Sequence, residues 1–467
     1  MIGTYVCLSY TWGPSNSYVT TPSTYRANLD GINYNSLPRT YKDTITVTTI
    51  LGIPFLWIDG LCIIQGDEGS ADWKEQSSQM ADIYANAILV IAAANSTSVE
   101  DGFLNASQDT RNIISFESET HADGNSQSGM TVHARPMLDH SWLGWSTLAE
   151  PKSEGTLSRS WCFQEEVLAA RLLTFYGGEM NFQCLGDVYS CECGFPAEAL
   201  GLVTIKELYE PRLSLGDYET PNWMWQSTVE HYTRRKLTVG TDRLTALSGV
   251  VRIMQSALKT RYIAGHWWDR DFLCSLCWMP VRNEETEGRL TDDYVAPSWS
   301  WAAHNGPVTM WIPYGDSKDQ QSPRFLGDTI VKDVRMYHST SDATGAVAGG
   351  FITVRGVFLP VRIKITSVER STAVMSRNNV DIPFYFDRPV GSANLSGMFF
   401  CWVVCCLPTV SLGRGQQSEA YCLMFLRSKP EGVCERIGFT DHEAAATDKS
   451  MVFFQGYRKA IRVATIV

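Results

Sequence analysis

Residues 72–94 read DWKEQSSQMADIYANAILVIAAA, and this stretch decides the fold. Its first part predicts a helix, because Trp73, Ser77, Met80 and Tyr84 recur at helical spacing and Asp72 stands where a cap belongs. Its second part, Ile88–Ala94, is a short uninterrupted apolar run, as expected of a strand covered on both faces. The same alternation continues outward. Toward the N-terminus, Pro54–Ile58 (PFLWI) predicts another buried strand. Leu37–Leu51 predicts a helix through Tyr41, Ile45 and Thr48 that Gly52 ends, and Tyr5–Tyr10 (YVCLSY) a first strand closed by Trp12-Gly13-Pro14. Toward the C-terminus, a polar insertion rich in Ser, Asp, Glu, Asn and Gly covers 104–158. A helix over Ser160–Ala170 and a strand over Arg171–Tyr176 follow it. Strands and helices alternating in this way specify an α/β domain, with a parallel sheet and helices on both faces.

The remainder of the chain changes character. Pro221–Leu258 has helical spacing, with Asp242-Arg243 expected as an ion pair at a helix start. From Gly350 strands dominate (FITVRGVFLPVRIKITSV, MFFCWVVCCL, AYCLMFLRS and RKAIRVATIV), predicting a C-terminal antiparallel sheet or sandwich. At 467 residues, about three domains fit. They are the α/β domain over 1–180 with its insertion near 104–158, a helical and mixed region over 181–345, and a β-rich region over 346–467.

Composition narrows the function. A hydrophobic fraction of 44% excludes wholesale disorder, and a net charge of -11 without a basic cluster argues against nucleic-acid partners. The longest apolar run, Met398–Leu407, is about half of a bilayer span, and the N-terminus lacks a basic leader. A cytoplasmic protein with no membrane partner is therefore expected, and its 13 cysteines are expected as reduced thiols. Cys274-x-x-Cys277 has no matching second pair, and Cys184, Cys191 and Cys193 are irregularly spaced with no histidine near. Structural thiols and no metal are expected, since a zinc site needs four placed ligands. No Gly-rich phosphate loop, HExxH or GxSxG is present, so no resident cofactor is expected.

Several long motifs carry a resemblance. YVCLSYTWG (5–13), LPRTYKDTI (37–45), FLWIDGLCIIQ (55–65), DWKEQSSQMADIYANAILVIAAA (72–94) and SRSWCFQEEVLAARLLTF (158–175) resemble fungal heterokaryon-incompatibility (HET) domain proteins. The likeness continues through LTVGTDRLTALSGV (237–250), YIAGHWW (262–268), APSWSWAAHNGPV (296–308) and CERIGF (434–439). It implies a TIR/flavodoxin-like parallel sheet and a link to cell death after fusion of unlike fungal cells. Enzymatic TIR domains cleave NAD+ with a glutamate in a WCxxE pattern. Trp161-Cys162-Phe163-Gln164-Glu165 has that pattern, which puts Glu165 in the catalytic place with NAD+ as substrate.

The residues agree with such chemistry. Four positions apart on a helix, Trp161 and Glu165 share a face with Leu168, while Glu166 points about 100° away. Burial there would raise the pKa of Glu165, and a carboxylate stabilises the oxocarbenium-like state of N-glycosidic cleavage. An ion pair of Glu165 with Arg159 or Arg171 is the structural alternative. Ligands of parallel sheets collect at the carboxyl ends of strands, so Ser9, Tyr10, Trp12 and Gly13, with Asp59, Gly60 and Cys62, border the expected crevice. Trp161 and Gln164 complete it, with Trp12 and Trp57 as core aromatics and Asp59 as a turn cap in the blander reading. Trp299 and Trp301, on an expected strand and turn with His304, either wall a pocket or form a packing seam. A small-molecule substrate is expected, with homo-oligomer formation left open. Two other functions stand beside NAD+ cleavage. One is a cofactor-free biosynthetic cyclase or pericyclase of Diels–Alder type in secondary metabolism, using an aromatic-lined pocket. The other is a non-enzymatic signalling module.

Overall fold

The computed structural model describes residues 3–14, 18–66, 70–104, 114–118, 130–134, 155–176, 179–184, 188–190, 221–281, 293–310, 325, 329–340, 342–367, 372–387, 398–410, 417–445 and 449–467. The chain divides into two compact units, Met1–Arg212 and Leu213–Val467. The expected helical and β-rich regions thus fall largely within one unit. Among the described residues no helix is long and apolar enough to cross a membrane.

The N-terminal unit contains β1 (Tyr5–Ser9), α1 (Tyr25–Asp30), α2 (Arg39–Ile50), β2 (Phe55–Trp57), α3 (Asp59–Cys62), α4 (Ser70–Asn86) and β3 (Leu89–Ala92). A hairpin of β4 (Ile114–Ser118) and β5 (Met130–Ala134) follows, then α5 (Ser160–Leu168), β6 (Arg171–Tyr176), β7 (Glu179–Cys184) and β8 (Val188–Ser190). Most of the expected polar insertion lies outside the described residues. The main sheet has the order β2-β1-β3-β6-β7-β8. Strands β2, β1, β3 and β6 run parallel, in the register Cys7↔Trp57, Ser9↔Ala92 and Val90↔Leu172.

Three expectations differ from the structure. The sheet is mixed, because β7 and β8 return antiparallel. Only Gly177 and Gly178 separate β6 from β7. Two residues suffice for a hairpin, but not for the dozen or more that a parallel crossover needs. The run PFLWI is also an edge strand rather than a buried one, with Phe55 39% exposed. The Asp72 carboxylate, expected as a cap, lies in the first turn of α4 and accepts from the Ile64 amide at 2.8 Å, tying the preceding loop to the helix.

Alternation along β1 sorts the two faces of the sheet. Val6, Leu8 and Tyr10 pack with Leu37, Tyr41, Ile58 and Ile91 on the α2 side. Cys7 packs with Met80, Tyr84, Val90, Ala92 and Leu172 on the side that Trp161 also joins. The threonine-rich α2 satisfies its buried hydroxyls locally, Thr44 donating to the Thr40 carbonyl and Thr48 to that of Thr44.

The C-terminal unit opens with α6 (Pro221–Thr233), α7 (Ser248–Leu258), β9 (Arg261–Ile263), β10 (His266–Trp268), α8 (Phe272–Ser275), β11 (Trp278–Pro280) and β12 (Val308–Met310). Eight strands follow: β13 (Ile330–His338), β14 (Val347–Ser367), β15 (Thr372–Arg377), β16 (Val380–Phe386), β17 (Phe399–Val410), β18 (Gln417–Ser428), β19 (Cys434–Ala445) and β20 (Ile461–Ile466). As expected this region is antiparallel, apart from one parallel contact of β19 with β20. The long β14 pairs β15 at one end of the order β14-β15-β16-β19-β18-β17 and β17 at the other, so the pairings close into a ring. Closure removes strand edges that would otherwise be exposed. Its interior holds Val357, Leu359, Met375, Phe384, Val403, Leu423 and Phe425.

On the outer side of this ring, a buried Arg436 from β19 binds both oxygens of Asp387. It also donates to the carbonyls of Leu276 and Trp278 at 2.6 Å and lies 3.6 Å from the Trp278 ring centre. One guanidinium therefore clamps the α8–β11 segment onto the strands. Arg436→Met is expected to lower stability by about 3–5 kcal/mol, since it leaves a buried carboxylate and two carbonyls unpaired. Denaturant unfolding of the full chain measures this, and a loss below about 1 kcal/mol would contradict it.

Candidate functional site

The carboxyl ends of β1 and β3 adjoin one another, with the Ala93 amide bonded to the Ser9 carbonyl at 2.9 Å. In a sheet ordered 2-1-3, this is where the direction of the crossovers reverses, the place at which open α/β sheets bind their ligands. The N-terminal turn of α5 arrives here because α5 precedes β6, which runs parallel to β3. A close approach sets its entry: a Cβ on Gly155 would stand 1.7 Å from the Ala94 carbonyl oxygen, so glycine alone fits.

Glu165 is 5% exposed. Burial pushes its pKa up to about 7; the Ser9 hydroxyl opposes this, Asp59 adds to it, Arg159 opposes it and Glu166 adds to it. The Ser9 hydroxyl is close enough to favour the ionised form, yet its Oγ completes no hydrogen bond of normal geometry. Thr11 Oγ1 and Gln164 Oε1 are likewise buried without a partner. Burial also raises the thiol of Cys162 well above its ordinary range, with the Glu165 charge adding to the effect. It remains a neutral thiol and is a poor nucleophile.

A second group adjoins the first. Arg159 donates to the Tyr10 carbonyl at 3.3 Å. Burial works against its charge, but Cys162, Glu165, Asp59 and Tyr10 around it more than reverse that, so it stays cationic. Asp59 is raised by burial, in part offset by the Tyr10 hydroxyl, the Gly60 amide and Trp12. Its carboxylate accepts from the Gly60 amide at 2.6 Å and from the Trp12 indole at 3.1 Å. Tyr10 and Tyr41 share a hydroxyl–hydroxyl bond of 2.7 Å. Next to this pair, Tyr34, Leu37, Tyr41, Ile58, Leu61 and Cys62 help line an apolar cavity of about 260 Å³.

Of the residues predicted from sequence, Ser9, Tyr10 and Asp59 come together with Glu165, and Trp12 reaches them through Asp59. The Trp12 N–H is engaged there and its ring packs against the α2-side core, so both the site and the core readings of Trp12 meet in one contact. Gly13 has φ +81° and lies tight against Ser98. Trp161 packs edge-on against Trp73, ring centres 6.1 Å apart. Trp299 and Trp301 belong to the C-terminal unit, where both are fully buried. The expected strand there is a short 3-10 turn, Trp301–Ala303, because the Ser300 hydroxyl caps it. Trp301 donates to the Gly265 carbonyl, and the Trp299 carbonyl accepts from Trp278. The Arg243 side chain turns inward to the Gly306 carbonyl at 2.6 Å.

Helical spacing alone failed to anticipate the burial of Glu166, whose carboxylate receives the Thr156 hydroxyl at 3.5 Å. The segment Gly155–Ser158 folds over that side of the helix. Tyr41 also escaped notice as a site residue; its position on the same α2 stripe as Ile45 was the available signal.

A carboxyl moved from 4.5 to about 7 lowers the stability of the fold by on the order of 3 kcal/mol above neutral pH. The sign follows from proton binding: the folded state holds the proton more tightly, so stability is greatest below 4.5 and is lost as pH rises through 7. Glu165→Gln is therefore expected to match the natural protein near pH 5 and to exceed it by about 1–3 kcal/mol near pH 8. Urea unfolding at the two pH values tests this, and a pH-independent difference refutes it.

Residues 5–165 match the family model described as heterokaryon incompatibility protein (HET). No curated protein and no solved structure matches the chain.

Proposed function

From the premise that the chain carries a HET domain and is a heterokaryon-incompatibility type protein, we propose that its N-terminal unit cleaves the N-glycosidic bond of NAD+. The observation that carries this reading is the almost inaccessible Glu165 carboxyl at the ends of parallel strands, beside buried Ser9 and Gln164 oxygens that complete no hydrogen bond of normal geometry. The 2-1-3 order of the first strands, continued by β6, agrees with the expected flavodoxin-like sheet over those strands and supports the same placement of a nucleotide.

In this mechanism the ionised Glu165 faces the ribose. As the bond to nicotinamide lengthens, positive charge builds on the sugar, and an already desolvated carboxylate stabilises it without reorganising solvent. Ser9 donates to a ribose hydroxyl. Arg159, held cationic between Tyr10 and the acidic groups, keeps a share of Glu165 ionised near neutrality. Water takes the place of nicotinamide at the anomeric carbon and releases its proton. Cys162 serves as packing.

The apolar cavity beside Tyr41 favours a second reading, the cofactor-free cyclase, because such catalysis needs mainly a shaped dry pocket. The two separate on one measurement. Purified full-length protein incubated with NAD+, concentrated or crowded, is expected to release nicotinamide, and Glu165→Gln to slow release by about 100-fold or more. The rate is expected to fall as pH drops below about 7, since the ionised form is the working one. Absence of nicotinamide release from folded, concentrated protein would remove the glycohydrolase reading. Small apolar molecules co-purifying with the chain, lost in Tyr41→Ala, would then support the cyclase.

A further inference from the structure

Among the buried thiols of the C-terminal unit, four gather on the outer side of the ring and are not used by the function above. Cys274 and Cys277 form the C-x-x-C of the α8 segment, and Cys405 and Cys422 are directly paired residues on β17 and β18. The Sγ atoms of Cys277, Cys405 and Cys422 all lie within 4.8 Å of one another. The thiol of Cys274 contacts that of Cys405 in turn. Sequence inspection finds no second pair because the partners are not written as a motif: they sit on two adjacent strands.

A defect in the strand builds this meeting. Cys401 and Val403 point into the ring of strands, as do Tyr421 and Leu423 on β18. By strict alternation Cys405 would point inward too. The pairing shifts between Val403 and Cys405, inserting Val404 as an extra residue. Cys405 is thereby turned to the outer side, opposite Cys422, since directly paired residues share a face. Above them, Arg436 grips the carbonyls of Leu276 and Trp278, the residues on either side of Cys277. The clamp that fixes this segment therefore also fixes one sulfur above the other two.

We propose that Cys274, Cys277, Cys405 and Cys422 form a tetrathiolate site for a divalent zinc ion that ties the α8 segment to the outer side of the β-ring. Tetrahedral zinc–thiolate bonds of about 2.3 Å place sulfurs about 3.8 Å apart, so three of the four ligands need only contract slightly. The spacing of two residues between Cys274 and Cys277 suits two ligands on one ion. Binding is a substitution at sulfur: each thiol loses its proton to solvent as the Zn–S bond forms, with no change of oxidation state. Arg436 brings positive charge beside a centre whose net charge would be negative, and its own charge is balanced by Asp387.

The test uses full-length protein purified under reducing conditions without added chelator. Elemental mass spectrometry is expected to find one zinc per chain, falling at least about tenfold in the Cys405→Ser, Cys422→Ser double variant. In case that variant fails to fold, the natural chain is stripped of zinc with a chelator and supplied with Co2+. The intense sulfur-to-cobalt charge-transfer band and visible bands of tetrahedral thiolate coordination are expected. Folded natural protein that holds no zinc and develops no cobalt–thiolate band overturns the proposal. So does a Cys405–Cys422 or Cys274–Cys277 disulfide found in the bulk of that protein by mass spectrometry.

Discussion

A carboxyl group kept almost entirely out of water governs the N-terminal unit. Every neighbour of Glu165 is explained by its cost: Arg159 supplies charge, Asp59 and Glu166 add repulsion, and the Ser9 hydroxyl offers an incomplete bond. Holding a carboxylate out of water is costly, and the cost is met here in part by the neighbouring Arg159 charge and the Ser9 hydroxyl.

The C-terminal unit solves a different problem. Its strands close on themselves and fill the interior with apolar side chains, so the outer side must be covered by segments that carry polar backbone. Arg436 makes such a cover feasible, since one planar guanidinium satisfies a carboxylate and two carbonyls together while stacking on Trp278. The thiol cluster lies under the same clamp. Position there follows from one extra residue in β17, a local irregularity that reverses the direction of a single side chain.

Much of this was legible in the residues. The alternation of strand and helix through residue 94, the helix bearing Trp161 and Glu165, and the strand that follows it appear in the structure within one or two residues of their expected bounds. That Ser9 and Asp59 come close to Glu165 was legible because the ends of parallel strands are set by the strands themselves. The antiparallel return after β6 was signalled only by Gly177-Gly178, and the exposure of Phe55 not at all, because an apolar edge strand and an apolar central strand read alike.

By itself, the amino-acid order determined most element types through residue 176, the likeness of residues 5–165 to the HET family model and the shared helical face of Trp161 and Glu165, since each depends on spacing over a few residues. Tertiary structure alone decided that Glu165 and Glu166 are both buried, that the C-terminal strands close into a ring, and that Cys277 meets Cys405 and Cys422 with Cys274 beside Cys405. Those outcomes depend on strand register and on contacts between segments far apart along the chain. A side chain's direction there changes with one inserted residue, and no local pattern records it.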